Sequence, residues 1–131
     1  GVVRIKLQRK TIPVEADLDG SGEIKKFVIV QMTGAEKGDY EEYLSKQIII
    51  KKGNIAGYKP GSVKEANIEL IHRCLYSGYN TENKQRVSKH AISTWSAEAI
   101  DKLASICEKL NCVGSEAARK TREAEEEAKK D

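Results

Sequence analysis

Ile24-Lys25-Lys26-Phe27-Val28-Ile29-Val30-Gln31-Met32-Thr33-Gly34-Ala35-Glu36 contains the change of pattern that decides the fold. Its first nine residues are rich in β-branched side chains and include Phe27, so they read as a strand. Its last four form a capping box. Thr33 at the N-cap offers an oxygen to the N3 amide, and Glu36 reaches back to the N-cap amide. A strand that passes directly into a capped helix predicts an α+β chain.

Toward the N-terminus, Val3, Ile5 and Leu7 alternate with Arg4, Lys6 and Gln8, a period of two. Ile12, Val14 and Ala16 continue the alternation in the opposite phase. Both sets face one side if a turn or bulge falls near Arg9-Lys10. Asp17 to Gly22 is a turn. The expectation is a small antiparallel meander or hairpin over residues 2–32, too thin to stand without helices on its apolar face.

Toward the C-terminus the period becomes helical, and three or four helices are expected. The first, about 34–48, places Tyr40, Leu44 and Ile48 on one face. The run Ile48-Ile49-Ile50 leaves that phase and either ends the helix or begins a short strand. Lys51 to Gly61 reads as a loop. Ser62-Val63-Lys64-Glu65 reads as a second capping box. It opens a helix over 62–77 that carries Val63, Ile68, Leu70, Ile71, Cys74 and Leu75, with Gly78 as its C-cap. Tyr79 to Arg86 is a polar loop. Ser88 caps a short helix over 88–93, and Ser96 caps an amphipathic helix over 96–111. Ile100, Leu103, Cys107 and Leu110 share the inner face of the latter, with Ile106 beside them. Residues 1–114 thus form one α+β domain. Residues 115–131 form a charged tail, helical or disordered, supported only by i,i+4 pairs such as Glu116–Lys120.

Composition narrows the function. Hydrophobic residues are 39%, charged residues 33% and aromatics 5%, which argues against a stacking surface for carbohydrate or nucleic acid. The net charge of +3 implies no strong electrostatic partner. Cys74, Cys107 and Cys112 leave one thiol unpaired under any disulfide scheme, so a reduced state in a cytosol is expected. The first residues alternate and carry charge, unlike a signal peptide. No run approaches the ~20 apolar residues that span a bilayer.

Four constellations invite chemistry. Asp17-Leu18-Asp19-Gly20-Ser21-Gly22 resembles the start of a calcium loop, with Asp17, Asp19 and Ser21 as oxygen donors. The twelfth position holds Val28 in place of a bidentate Glu, and the ninth holds Lys25, so a hairpin turn explains the same residues better. His72, His90 and the cysteines lack zinc-ligand spacing. No nucleophile elbow or phosphate-binding glycine loop is present, and neither catalytic nor cofactor-binding residues are expected. The basic start, Arg4, Lys6, Arg9 and Lys10, is followed by Glu15, Asp17 and Asp19 and reads as a solvated face, so nucleic acid is not expected. Trp95, at a junction between helices, reads as a core residue before an interface anchor.

The serial order of elements nevertheless resembles a known family. It runs from a strand pair through Gln31-Met32-Thr33-Gly34-Ala35-Glu36, a helix with Tyr40 and Tyr43-Leu44, and Asn54-Ile55-Ala56-Gly57-Tyr58. Then come Arg73-Cys74-Leu75-Tyr76, Val87-Ser88, Thr94-Trp95-Ser96, Lys109-Leu110-Asn111 and an alanine-rich charged tail. In this order the chain resembles the tail assembly chaperones of long-tailed bacteriophages, over about residues 3–130. The basic content of the tail and the long Asp17–Gly22 turn depart from that pattern. The resemblance implies a non-catalytic, cofactor-free protein of the host bacterial cytoplasm that is absent from the mature virion. Its client would be the tape measure protein, with the tail tube protein as a further partner, no membrane, and self-association left open. Members of that family often have a longer form made by translational frameshifting, which the lysine-rich end would suit. The helix stripes supply the protein-binding candidates: Ile68, Ile71, Leu75, Tyr76, Trp95, Ile100, Leu103, Ile106 and Leu110. The alternative reading is a small calcium-binding or nucleic-acid-binding regulatory module.

Overall fold

The computed structural model describes residues 1–6, 8–78 and 85–129, with backbone alone at 115–119. The chain is α+β, as the switch at Met32-Thr33 predicts. Strand β1 (Thr11–Ala16) pairs antiparallel with β2 (Lys25–Val30), in a register from Thr11↔Val30 to Ala16↔Lys25. Helix α1 (Gly34–Ser45) follows, then a separate hairpin of β3 (Ile48–Lys51) and β4 (Asn54–Tyr58). Helix α2 (Ser62–Cys74) runs directly into β5 (Leu75–Ser77), which pairs antiparallel with the free side of β2. The short helix α3 (Lys89–Ser93), α4 (Ala97–Asn111) and the charged α5 (Gly114–Lys129) complete the chain.

The three-stranded sheet has the order β1-β2-β5 and turns one face to the helices. Phe27, Ile29 and Leu75 are buried there, with Ile12, Val14 and Ala16 partly buried beside them. Helices α2 and α4 bring Leu70, Ile71, Cys74, Leu103, Ala104 and Cys107 onto this face, and α3 adds Ile92. Burying each such aliphatic side chain contributes about 1.5–3 kcal/mol, so the α2–α4–sheet sandwich is the main source of stability. Trp95 meets Phe27 edge to face at 5.9 Å between ring centroids, half-buried against the core.

Local signals set the boundaries. Thr33 and Glu36 make both bonds of the capping box, and Ser88 and Ser96 cap α3 and α4. Cys112 closes α4 in the left-handed region, φ 52°. Pro13 lies within β1 yet does not disturb the sheet. The Gln31 amide donates to the Lys10 carbonyl, so alternation turns Ile12 and Val14 toward β2 and Pro13 toward the open edge, where a missing N–H leaves no bond unmade.

Several boundaries differ from those the sequence predicts. No strand forms among the described residues 1–10; Val2, Val3 and Ile5 are 87%, 84% and 74% exposed. Residues 11–16 already pair with all six positions of β2, so an earlier strand has no partner there. The third strand comes instead from Leu75–Ser77, and the predicted helix over 62–77 stops at Cys74. Ser62 is not a cap. It is buried inside the first turn, and Gly61, at φ 75°, is the N-cap without a side-chain bond. Gly78 accordingly follows a strand and does not end a helix. The stretch read as a loop from Lys51 contains β4. The tail, expected to be helical or disordered, is helical over Gly114–Lys129. Most of the predicted polar loop, residues 79–84, lies outside the described residues.

Candidate protein-binding surfaces

The nine candidates taken from the helix stripes divide in two. Ile71, Leu75, Ile100 and Leu103 are buried, at most 4% exposed, because α2 and α4 turn their stripes toward each other and the sheet, and because Leu75 lies on the covered face of β5. Ile68, Tyr76, Trp95, Ile106 and Leu110 are partly exposed. Of these, Ile106 opens onto a groove between β1 and α4. Val14, Ala16 and Leu18 form one wall, and Ala99, Leu103 and Ile106 form the other. Asp17, Ser96, Glu98 and Lys102 stand around it, and the cavity volume is about 400 Å³. Lys102 and Glu98 pair with each other at 3.0 Å across one turn of α4. The groove is therefore apolar at its base and charged at its rim, as a protein-binding cleft is.

Several polar side chains elsewhere join elements of the fold. The Glu36 carboxylate accepts from Arg9 at 3.0 Å, from Arg86 at 2.6 Å and from the Thr33 amide at 3.1 Å. Burial works to raise its pKa, yet the Thr33 hydrogen bonds and the two arginines hold it below the ordinary carboxylate value. Arg86 also lies 5.6 Å over the Tyr76 ring, tying residues 85–87 to β5. Buried Glu69 binds Arg73 at 3.0 Å and Lys89, joining α2 to α3. His72 Nδ1 lies 2.7 Å from the Val87 carbonyl. Asn111 is buried; its Oδ1 accepts from the Met32 amide at 2.8 Å, and its Nδ2 donates to the Cys107 carbonyl at 2.9 Å. Cys74 and Cys107 are buried free thiols. The hydrogen bond that the Cys107 thiol donates to Cys74, then burial, pushes Cys107 well above the usual thiol range.

The Asp17–Gly22 carboxylates point into their own turn. Asp17 accepts from the Gly20 and Gly22 amides at 3.0 and 2.8 Å, and Asp19 accepts from Ser21 at 3.0 Å. Gly20 and Gly22 take the positive φ values, 78° and 85°, that such a turn requires. These bonds are those of the hairpin reading weighed against calcium. Sequence reasoning missed two features: the role of Asn111, read only as a helix end, and the exposed apolar face of the β3–β4 hairpin. The Ile48-Ile49-Ile50 run followed by Lys52-Gly53 was the available signal for the second.

The chain matches no family model, no curated protein and no solved structure.

Proposed function

We propose that this chain is a non-catalytic assembly chaperone of a long-tailed phage. It would hold apolar segments of the tape measure protein in the host cytoplasm and leave before the virion is complete. The observation that carries this reading is the open groove between β1 and α4, whose walls are apolar on both sides. The serial order of motifs from Gln31 to Asn111 supports the identity of the client by resemblance. The engagement of Glu36, Glu69, His72 and Asn111 in structural bonds is in keeping with binding without catalysis. Because Ile71, Ile100 and most of Leu103 are committed to the core, the client meets α4 only where Ala99 and Ile106 open onto the groove.

Co-expression tests this. Tape measure fragments are expected to stay soluble beside the wild-type chain and to precipitate beside Ile106→Glu or Ala99→Glu. Both substitutions place a carboxylate in the groove wall at partly exposed positions, so thermal unfolding should show each variant folded. If fragments precipitate to the same extent with and without the wild-type chain, the proposal fails.

A further inference from the structure

The start of the fold leaves both a segment and a sheet edge without a partner. Residues 1–6 are exposed throughout, and Val3 and Ile5 alternate with Arg4 and Lys6. An extended arm of this pattern has one apolar face and one basic face. The order β1-β2-β5 leaves the outer side of β1 unpaired among the described residues, whereas β5 is bridged on its outer side by Arg86. Val14, Ala16 and Leu18, at the C-terminal end of β1 and just beyond it, form one wall of the groove.

The backbone of β1 fixes where a strand can add. Lys10, Ile12, Val14 and Ala16 turn their N–H and C=O groups toward β2 and Gln31, so those of Thr11 and Glu15 point outward. Pro13 between them offers only its C=O, so an added strand is not centred there. With Lys6 antiparallel to Glu15, the ladder is centred on a residue that offers both groups, and Pro13 falls at its end opposite Gln8. The same register sets Ile5 beside Ala16 and Val3 toward Leu18, on the groove side. On the other side it sets Lys6 beside Glu15 and Arg4 toward Asp17. Both carboxylates are exposed, and neither forms an ion pair among the described residues. Opposite charges facing each other across a ladder stabilise it.

The arm cannot take this register in its own chain, because the reversal would fall at residues 9–12. Thr11 and Ile12 are paired with Val30 and Ile29. Arg9 Nε donates to the Gln31 carbonyl at 2.9 Å, and the Lys10 amide donates to Gln31 Oε1 at 3.1 Å. The recipient edge therefore belongs to a second copy, and each copy offers one arm and one edge, as a closed exchange between two copies requires.

We infer that two copies of this chain exchange N-terminal arms, residues 2–6 of each adding as a strand to β1 of the other and placing Val3 and Ile5 over the groove. The exchange does not depend on the groove's client. A client that enters the groove displaces the arm, and that step alone rests on the function proposed above.

Sedimentation velocity without any client tests the exchange, so its failure is separate from failure of the client reading. The wild-type chain is expected to pass from monomer to dimer as concentration rises. A chain beginning at Arg9 lacks the arm and keeps the edge. Glu15→Pro keeps the arm and removes the outward N–H at the centre of the edge, leaving the bonds to β2 in place. Each is expected to sediment as a monomer alone and their equimolar mixture as a one-to-one heterodimer, since one supplies the edge and the other the arm. Glu15→Lys, a surface change that does not rely on proline being accommodated, is expected to weaken the dimer at least about tenfold. Lys6→Glu in the same chain is expected to restore it. A wild-type chain that stays monomeric at every concentration overturns the inference. So does an armless chain that dimerises like the wild type, a mixture that stays monomeric, or a double charge reversal no better than Glu15→Lys alone. Displacement predicts that the armless chain keeps tape measure fragments soluble at a lower concentration than the wild type does; equal concentrations overturn that step.

Discussion

Glu36 shows how one residue can close several junctions. It completes the cap of α1 and binds Arg9 just before β1 and Arg86, which bridges to Tyr76 of β5. Only the first of these roles is legible in sequence, because a capping box is local, whereas Arg9 and Arg86 lie 27 and 50 residues away. The folded carboxyl titrates below its ordinary 4.5. The stability it contributes is therefore fully present above that value and is lost as pH falls through the folded one. Glu36→Gln keeps the shape and removes the charge. It is expected to cost about 1 kcal/mol at neutral pH, a modest figure because both arginines are partly solvated. It should also flatten the fall in thermal midpoint between roughly pH 5 and pH 3. Thermal unfolding of both proteins across that range checks it; parallel curves would show that the cluster contributes no linkage.

At the scale of elements, the helices with side-chain caps were legible because the cap and the stripe agree: Thr33, Ser88 and Ser96 each begin a helix where expected. The end of α2 was not legible. Cys74, Leu75 and Tyr76 continue its apolar arc, and nothing local marks Leu75 as extended. It becomes a strand because β2 has a free edge where Leu75 can pair with Ile29, a tertiary demand that overrides the helical pattern. The groove was half legible, since Leu103 and Ile106 were named while its other wall depends on β1 lying beside α4. The hairpin was missed because its turn lacks the usual Asn-Gly or Asp-Gly. Lys52 and Gly53 carry φ values of 53° and 78°, a mirror-type turn with lysine in the first strained position. Lys52→Asn is expected to stabilise the hairpin by a few tenths of a kcal/mol, whereas Gly53→Ala is expected to destabilise it by about 1 kcal/mol. Hydrogen exchange at the β3–β4 amides should report opposite changes. A common sign for the two substitutions would mean that something other than turn conformation sets the hairpin's stability.

Across the whole molecule, apolar burial and charge are unevenly distributed along the chain. The core draws on residues from Ile12 to Val113, and among the described residues the last buried side chain is Val113, 2% exposed. Beyond it, α5 is exposed at every described position from Lys120 to Lys129. Over those residues the helix has no apolar stripe and depends on i,i+4 pairs of about 0.2–0.5 kcal/mol each. A chain ending at Gly114 keeps Val113 and the Cys112 cap of α4. It is therefore expected to unfold within about 1 kcal/mol of the full chain, a midpoint shift of a few degrees. Its near-ultraviolet circular dichroism should be unchanged, because Trp95 and Phe27 remain in contact. The groove also remains, so the shortened chain should keep tape measure fragments soluble as the full chain does. A large fall in midpoint would mean that α5 supports the core. An unchanged midpoint with altered sedimentation would instead place α5 in contacts between copies.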